Sequence, residues 1–272
     1  MLVRASDFEY DGRRLSDFGF TICTFGGSGD LDIIDTGFDI SFTKVKRNNG
    51  RKYGIASSQY ENCATTTFQI CKCPDRCGGD TISDEEYREL ARWLNRHEYL
   101  RFRLLNELDD NDGEPCYFNA SINIGKVYMA DRLYGLELRV DTDAPYGFGN
   151  VVEKTWTLNA NGTANITDLS DDIGEIKPDV TVTCGAAGTL TLTNPTCETV
   201  TTVKNCTSGE VIHFYGDTQI ITSSLSTHKI HNDFNFVFPK IGNTMASRKN
   251  PFTVSMPCTL KVRYAPVIKD IP

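Results

Sequence analysis

The sequence predicts a mainly β protein built as two domains, with a single helix that belongs to the first. Three observations carry that expectation. Short stretches of alternating apolar and polar residues recur along all 272 residues, separated by clusters of Gly, Asn, Asp and Pro. Helical periodicity occurs in one place, Ile82–His97. The stretch Leu133–Asn150, LYGLELRVDTDAPYGFGN, divides the chain. Its Leu136, Leu138 and Val140 alternate with Glu137, Arg139 and Asp141, as in a half-buried strand, and Asp143, Pro145, Gly147 and Gly149 then stop that strand. Before this stretch strands mix with the helix, and after it only short strands remain. The expected domains are residues 1–148 and 149–272.

In chain order, Phe8 and Tyr10 lead into Asp11-Gly12, a hairpin turn signal, and Leu15, Phe18, Phe20, Ile22 and Phe25 follow. Gly26–Gly29 is a break, Ile40–Val45 a strand, and Lys46–Gly54 a basic turn around Asn49-Gly50. Thr65–Cys71 is a strand of β-branched and aromatic residues. In the helix, Ser83 and Glu86 complete a capping box, and Tyr87, Leu90, Ala91 and Leu94 form an apolar stripe flanked by Trp93. Tyr99–Leu105 alternates again. The acidic loop Asp109–Glu114 lacks the spacing and distal Glu of a calcium loop and reads as a solvated turn. Cys116–Ile124 places Cys116, Phe118, Ala120, Ile122 and Ile124 on one face.

Past Asn150, strands are expected at Lys154–Leu158, Thr163–Leu169, Val180–Cys184, Thr189–Thr193, Thr199–Lys204, Val211–Tyr215, Gln219–Thr222, Phe234–Phe238 and Cys258–Tyr264. Their spacing, roughly ten residues with turn clusters between, is that of a β-sandwich.

Bulk composition narrows the function. Hydrophobic residues make up 39% and charged residues 24%, so the chain folds. A net charge of −8 argues against a general nucleic-acid binder, which needs a basic face, and against an anionic membrane surface. No apolar run reaches the roughly 18 residues that span a bilayer. The N-terminal MLVRASDFEYDGRRL lacks an apolar signal region, so synthesis in a cytoplasm is expected. In that reducing setting the ten cysteines read as free buried thiols or metal ligands.

The most pointed chemistry is Cys71, Cys73 and Cys77 in CKCPDRCGG, with Cys63 upstream. Thiolates this close around a Pro and paired glycines are able to wrap a tetrahedral zinc, with Cys63, His97 or Cys116 as the fourth ligand. The spacing, CxC then CxxxC, is not the paired CxxC of a zinc knuckle, and a turn whose cysteines act as small hydrophobes is the preferred reading. His228 and His231 lack a companion Glu on a helix and read as turn or strand histidines. There is no G-x-S-x-G elbow, P-loop or G-x-G-x-x-G, and the carboxylates are scattered. The sequence gives no positive reason to expect an enzyme or a resident cofactor.

Several stretches together resemble the distal tail proteins of long, non-contractile-tailed bacteriophages. They are FEYDGRRLSDFGFTIC at the start, ISDEEYRELARWLNRHEYLRFRLL around the helix, LELRVDTDAPYGFG at the division, and GEVIHFYGDTQIITSS, HNDFNFVFPKIGNT and PCTLKVRYAP near the end. Their order covers nearly the whole chain. The resemblance implies an N-terminal β domain that assembles into a ring, usually a hexamer, and a C-terminal domain of galectin-like β-sandwich fold. It implies a place at the tail tip of the virion, joining the tail tube to the tail hub or tail-associated lysin and often anchoring receptor-binding proteins. The cysteine turn is not implied by it.

Exposed strand edges fit an assembly role, because closing subunits into a ring covers them. The expected contacts to neighbouring subunits or to the tube lie on the opening hairpin and the basic turn, at Lys46, Arg47, Arg51 and Lys52. A second function class is a binding module for cell-wall glycan using Trp156, His213, Tyr215 and Asn232, although aromatics more often serve packing. A wall hydrolase is a weaker third, lacking a readable acid/base pair.

Overall fold

The structure is a computed structural model that describes residues 5–25, 39–46, 53–73, 79–105, 115–244 and 246–269. It is mostly β, as expected, and divides into two compact units, Met1–Gly149 with Lys269–Pro272 and Asn150–Ile268. No helix among the described residues is long and apolar enough to cross a membrane.

The first unit holds strands β1 (Asp7–Tyr10), β2 (Arg13–Arg14), β3 (Phe20–Cys23), β4 (Ile40–Lys46), β5 (Tyr53–Tyr60), β6 (Thr65–Lys72), β7 (Leu100–Leu105), β8 (Phe118–Met129), β9 (Arg132–Thr142) and β10 (Gly147–Phe148), and helix α1 (Asp84–Leu94). Seven strands form one sheet in the order β2-β1-β7-β8-β9-β6-β3, and the pairings within it are antiparallel. Asp11 and Gly12 take φ of 51° and 73°, the left-handed pair that a tight β1–β2 hairpin requires. In β9, Leu136, Leu138 and Val140 are buried and Glu137 and Arg139 exposed, the expected alternation.

Helix α1 is capped as its sequence predicts. The Glu86 N–H donates to Ser83 Oγ at 3.3 Å, and the Ser83 N–H donates to Glu86 Oε2 at 2.8 Å. The helix is shorter than the periodicity suggested and stops at Leu94, since the chain must turn to enter β7 at Leu100. Trp93 does not flank the apolar face but is part of it. It stacks on Phe8 and Phe18, and its Nε1–H donates to Tyr10 O at 3.0 Å. With Leu90 and Leu94 it seals a core of Phe8, Tyr10, Phe68, Phe102, Phe118 and the β9 leucines.

The second unit holds β11 (Val152–Leu158), β12 (Thr163–Thr167), β13 (Gly174–Ile176), β14 (Asp179–Cys184), β15 (Gly188–Asn194), β16 (Thr199–Cys206), β17 (Val211–Tyr215), β18 (Ile220–Ser223), the short helix α2 (Ile230–Asp233), β19 (Ile241–Asn243), β20 (Lys249–Val254), β21 (Cys258–Tyr264) and β22 (Val267–Ile268). A five-stranded sheet, β11-β21-β14-β17-β18, and a four-stranded sheet, β12-β20-β15-β16, share one core. Val180, Val182, Ile212, Phe214, Leu260 and Val262 from the first interdigitate with Ile166, Leu190, Leu192, Val203, Phe252 and Val254 from the second, which makes a β-sandwich.

Two departures from the sequence reading have clear causes. Phe234–Phe238 is not a strand, and only Phe234 bridges Val203. Asn235 takes over the ladder with its side chain: Oδ1 accepts from Thr202 N–H and Nδ2 donates to Val200 O. Conversely, Pro251 hides β20, because proline suits no central strand. The β15–β20 ladder begins only at Thr253, so Pro251 lies where β20 has the single neighbour β12.

Candidate functional site

The element that stands apart is the β4–β5 hairpin. Its two strands pair with each other and with no other strand among the described residues. Alternation and β-propensity account for its formation: Ile40, Phe42 and Val45 on one strand, Tyr53, Ile55 and Tyr60 on the other. The register sets Ile40 opposite Tyr60, Phe42 opposite Ser58, Lys44 opposite Ile55 and Lys46 opposite Tyr53, with a bulge at Thr43/Lys44. Residues directly opposite share a face. One face therefore carries Ile40, Phe42, Ile55, Tyr53 and Tyr60 with Lys44 and Lys46, while the other carries Ser41, Thr43, Ser57 and Gln59 with Val45.

Among the described residues nothing in its own unit pairs with this hairpin's strands. Ile40, Phe42, Val45, Tyr53 and Ile55 are 43% to 62% exposed. Its base is tied down: Glu61 N–H donates to Asp39 O at 2.9 Å, and the Tyr60 ring meets Tyr146 edge-on at 5.9 Å. An isolated two-stranded hairpin is marginal in water. Covering five half-exposed apolar side chains offers on the order of 5 kcal/mol.

Of the expected contact residues, Lys46 ends β4, exposed, on the apolar face of the arm. Arg47, Arg51 and Lys52 lie outside the described residues, as do the Gly26–Gly29 break and the Asp109–Glu114 loop.

The described cysteines of the zinc expectation do not gather as a set. Cys63 precedes β6 and is exposed, whereas Cys71 lies near the far end of that strand. Six strand steps of about 3.3 Å from Thr65 to Cys71 separate them by roughly 20 Å. The thiol that Cys71 meets is Cys23 of β3, whose own thiol is pushed up by burial and by that contact. Cys73 follows β6 and is half-buried, Cys77 lies outside the described residues, and Cys116 sits against Gly147. Among the described residues no three His, Cys, Asp or Glu side chains converge in a metal-binding arrangement.

The four residues of the glycan expectation also separate. Trp156 lies in register with the buried Leu260 and packs on the sandwich core. His213 and Tyr215 stack on the opposite face of the same sheet, with ring centroids 4.0 Å apart, and Asn232 lies in α2.

Sequence reasoning missed one buried cluster. His228 lies between two carboxylates, with Nδ1 2.5 Å from Glu210 Oε1 and Nε2 3.3 Å from Asp233 Oδ2. The second contact lacks hydrogen-bond alignment and acts as an ion pair. Glu210 also accepts from Ser223 Oγ and from the Thr207 N–H. Burial opposes charge on both partners, yet the hydrogen bonds to Glu210 hold its carboxyl below the ordinary value and hold His228 above its own. The Ser223 hydroxyl donates to Glu210, the same carboxylate that His228 meets, so the group fastens the loop Leu225–Asp233 to β17 and β18. No motif spacing foretold it, because residues 18 apart meet here only through the fold.

Residues 3–144 match a family described as phage tail protein N-terminal domain, and residues 146–264 one described as phage tail C-terminal domain. No curated protein matches the chain in sequence. Among solved structures, the Dit (gp 19.1) protein of SPP1, presented as a paradigm of the hub adsorption apparatus in phages that infect Gram-positive bacteria, is similar with a TM-score of 0.63. The match covers 95% of this chain and 98% of that one at 11% identity, a likeness of fold.

Proposed function

The chain belongs to the phage tail protein family whose N-terminal and C-terminal domains it carries in order, and from that premise we propose that it is the structural protein of the tail tip that closes into a ring. As a phage tail protein it is a component of the virion. In the proposed role, copies of the first unit form the ring, a hexamer, that joins the tail tube to the tail hub or tail-associated lysin. The second unit, a sandwich of galectin-like kind, faces the receptor-binding apparatus. The protein acts by holding partners in place, without catalysis.

The β4–β5 arm is the observation that carries this reading. A marginal hairpin with an apolar, lysine-edged face is satisfied when it lies on the sheet of a neighbouring copy, and a head-to-tail contact repeated around a closed circle leaves no arm uncovered. Light scattering coupled to size exclusion, with negative-stain images, tests it on the protein alone and mixed with the hub protein of the same phage. The expected result is a closed oligomer of one size. A protein that stays monomeric alone and with the hub overturns the proposal.

A further inference from the structure

The cluster that fastens Leu225–Asp233 fits only one charge state of its histidine. Glu210 accepts from the Thr207 N–H and the Ser223 hydroxyl, which makes it an ionised acceptor, and His228 Nδ1 meets it as well. The other ring nitrogen, Nε2, faces Asp233 of α2 at 3.3 Å. A neutral imidazole carries a hydrogen on one nitrogen and a lone pair on the other. Either neutral tautomer therefore sets a lone pair against a carboxylate, and only the imidazolium sets none. The remaining titratable group near the ring is Cys206, which closes β16, and its influence also favours the charged ring.

Apart from this cluster the segment has little apolar hold. Within residues 225–233 Ile230 is buried in the sandwich core, Leu225 is half-buried, and the other side chains are polar. Asp233 also accepts from Asn205 Nδ2 of β16 at 2.8 Å. Helix α2 packs on β16 and β18, which are edge strands of the two sheets.

We propose that His228 is a pH-operated latch, which holds Leu225–Asp233 over the edges of β16 and β18 while its ring is charged and releases that segment when the ring loses its proton. Loss of the proton leaves one N–H on Glu210 and turns the Asp233 contact from attraction to repulsion. The released segment uncovers two strand edges, which are templates for pairing with another chain. The latch lies within the second unit and works whether or not the first unit forms a ring. Its sign follows from the ring being held above its ordinary 6.5. The segment is closed below 6.5, its open fraction rises by up to about tenfold per pH unit from there to the folded midpoint, and it levels off above.

Hydrogen–deuterium exchange read by mass spectrometry on the full-length protein tests the latch. Exchange at the imidazole C2–H gives the midpoint of His228, expected above 6.5. Amide exchange across residues 225–233, corrected for its intrinsic pH dependence, is expected to quicken by up to about tenfold per pH unit between 6.5 and that midpoint. The peptide of β21, which is paired on both sides by β11 and β14, is expected to keep its corrected rate. Asp233→Asn supplies an amide that donates to the neutral Nε2, so the segment stays protected on both sides of the midpoint. A His228 midpoint at or below 6.5, equal protection of wild-type 225–233 on both sides of it, or an Asp233→Asn protein that keeps the wild-type step overturns the proposal. The wild-type exchange decides even where the variant fails to fold.

Discussion

His228 shows how much a single side chain contributes when the fold surrounds it. Its side chain is 6% exposed and that of Glu210 is fully buried, so neither charge has water to fall back on. Removing one partner leaves the other charged and uncompensated, which costs about 3 kcal/mol. His228→Gln is therefore expected to lower the stability of the second unit by that amount, read by chemical denaturation. The pH dependence has a definite sign. Glu210, held below its ordinary 4.5, contributes stability that is present above that value and lost as pH falls through its folded value. His228, held above its ordinary 6.5, contributes stability that is present below 6.5 and lost as pH rises through its folded value. The pair therefore contributes most between about pH 4.5 and 6.5 and less on the alkaline side. Wild-type denaturation free energy should fall from pH 6.5 upward, and His228→Gln should flatten that slope. An unchanged slope would show that the cluster carries no charge.

Among the elements, α1 and the β4–β5 arm call for opposite tests. The start of α1 depends on the reciprocal bonds of Ser83 and Glu86, with Lys72 Nζ 2.7 Å from the Glu86 carboxylate. Ser83→Ala is expected to cost about 1 kcal/mol in stability while leaving assembly intact. The arm should behave in the reverse way. Phe42→Asp with Ile55→Asp places charges on side chains that are 48% and 62% exposed, so stability should stay within about 0.5 kcal/mol of wild type. Ring formation should be lost, as light scattering would read. A large loss of stability would mean that the arm serves its own fold. The helix, β4 and the turn after it were legible from their periods and turn signals, whereas β5 was not among the expected strands. Invisible in the sequence was that α1 is covered and that the arm, among the described residues, is not: alternation marks a face that wants a neighbour and is silent on whether the same chain supplies one.

For the whole molecule, the motif-level resemblance to phage tail proteins and the mainly β fold are borne out by the family matches and by the likeness to the SPP1 Dit structure. In the proposed ring the basic turn of one copy is expected to meet its neighbour, and Lys44 and Lys46 belong to the β4 strand that precedes that turn. Arg47→Glu with Arg51→Glu is expected to shift the oligomer toward monomer, more strongly at low salt, where exposed charges are least screened. A ring that forms unchanged at low salt would remove those arginines from the interface.

The sequence by itself determined the strand and helix periods, the turns, the capping box, the two-part organisation and the family. All of these depend on residues close together in the chain, or on motifs whose order survives in it. The tertiary structure alone decided which face of each strand is covered. It set Trp93 in the core, let Asn235 stand in for a strand partner of β16, and left β4–β5 with no further strand partner among the described residues. It also brought His228 to Glu210. These are contacts between residues distant in sequence, and their energy comes from excluding water around groups that the local sequence cannot bring together.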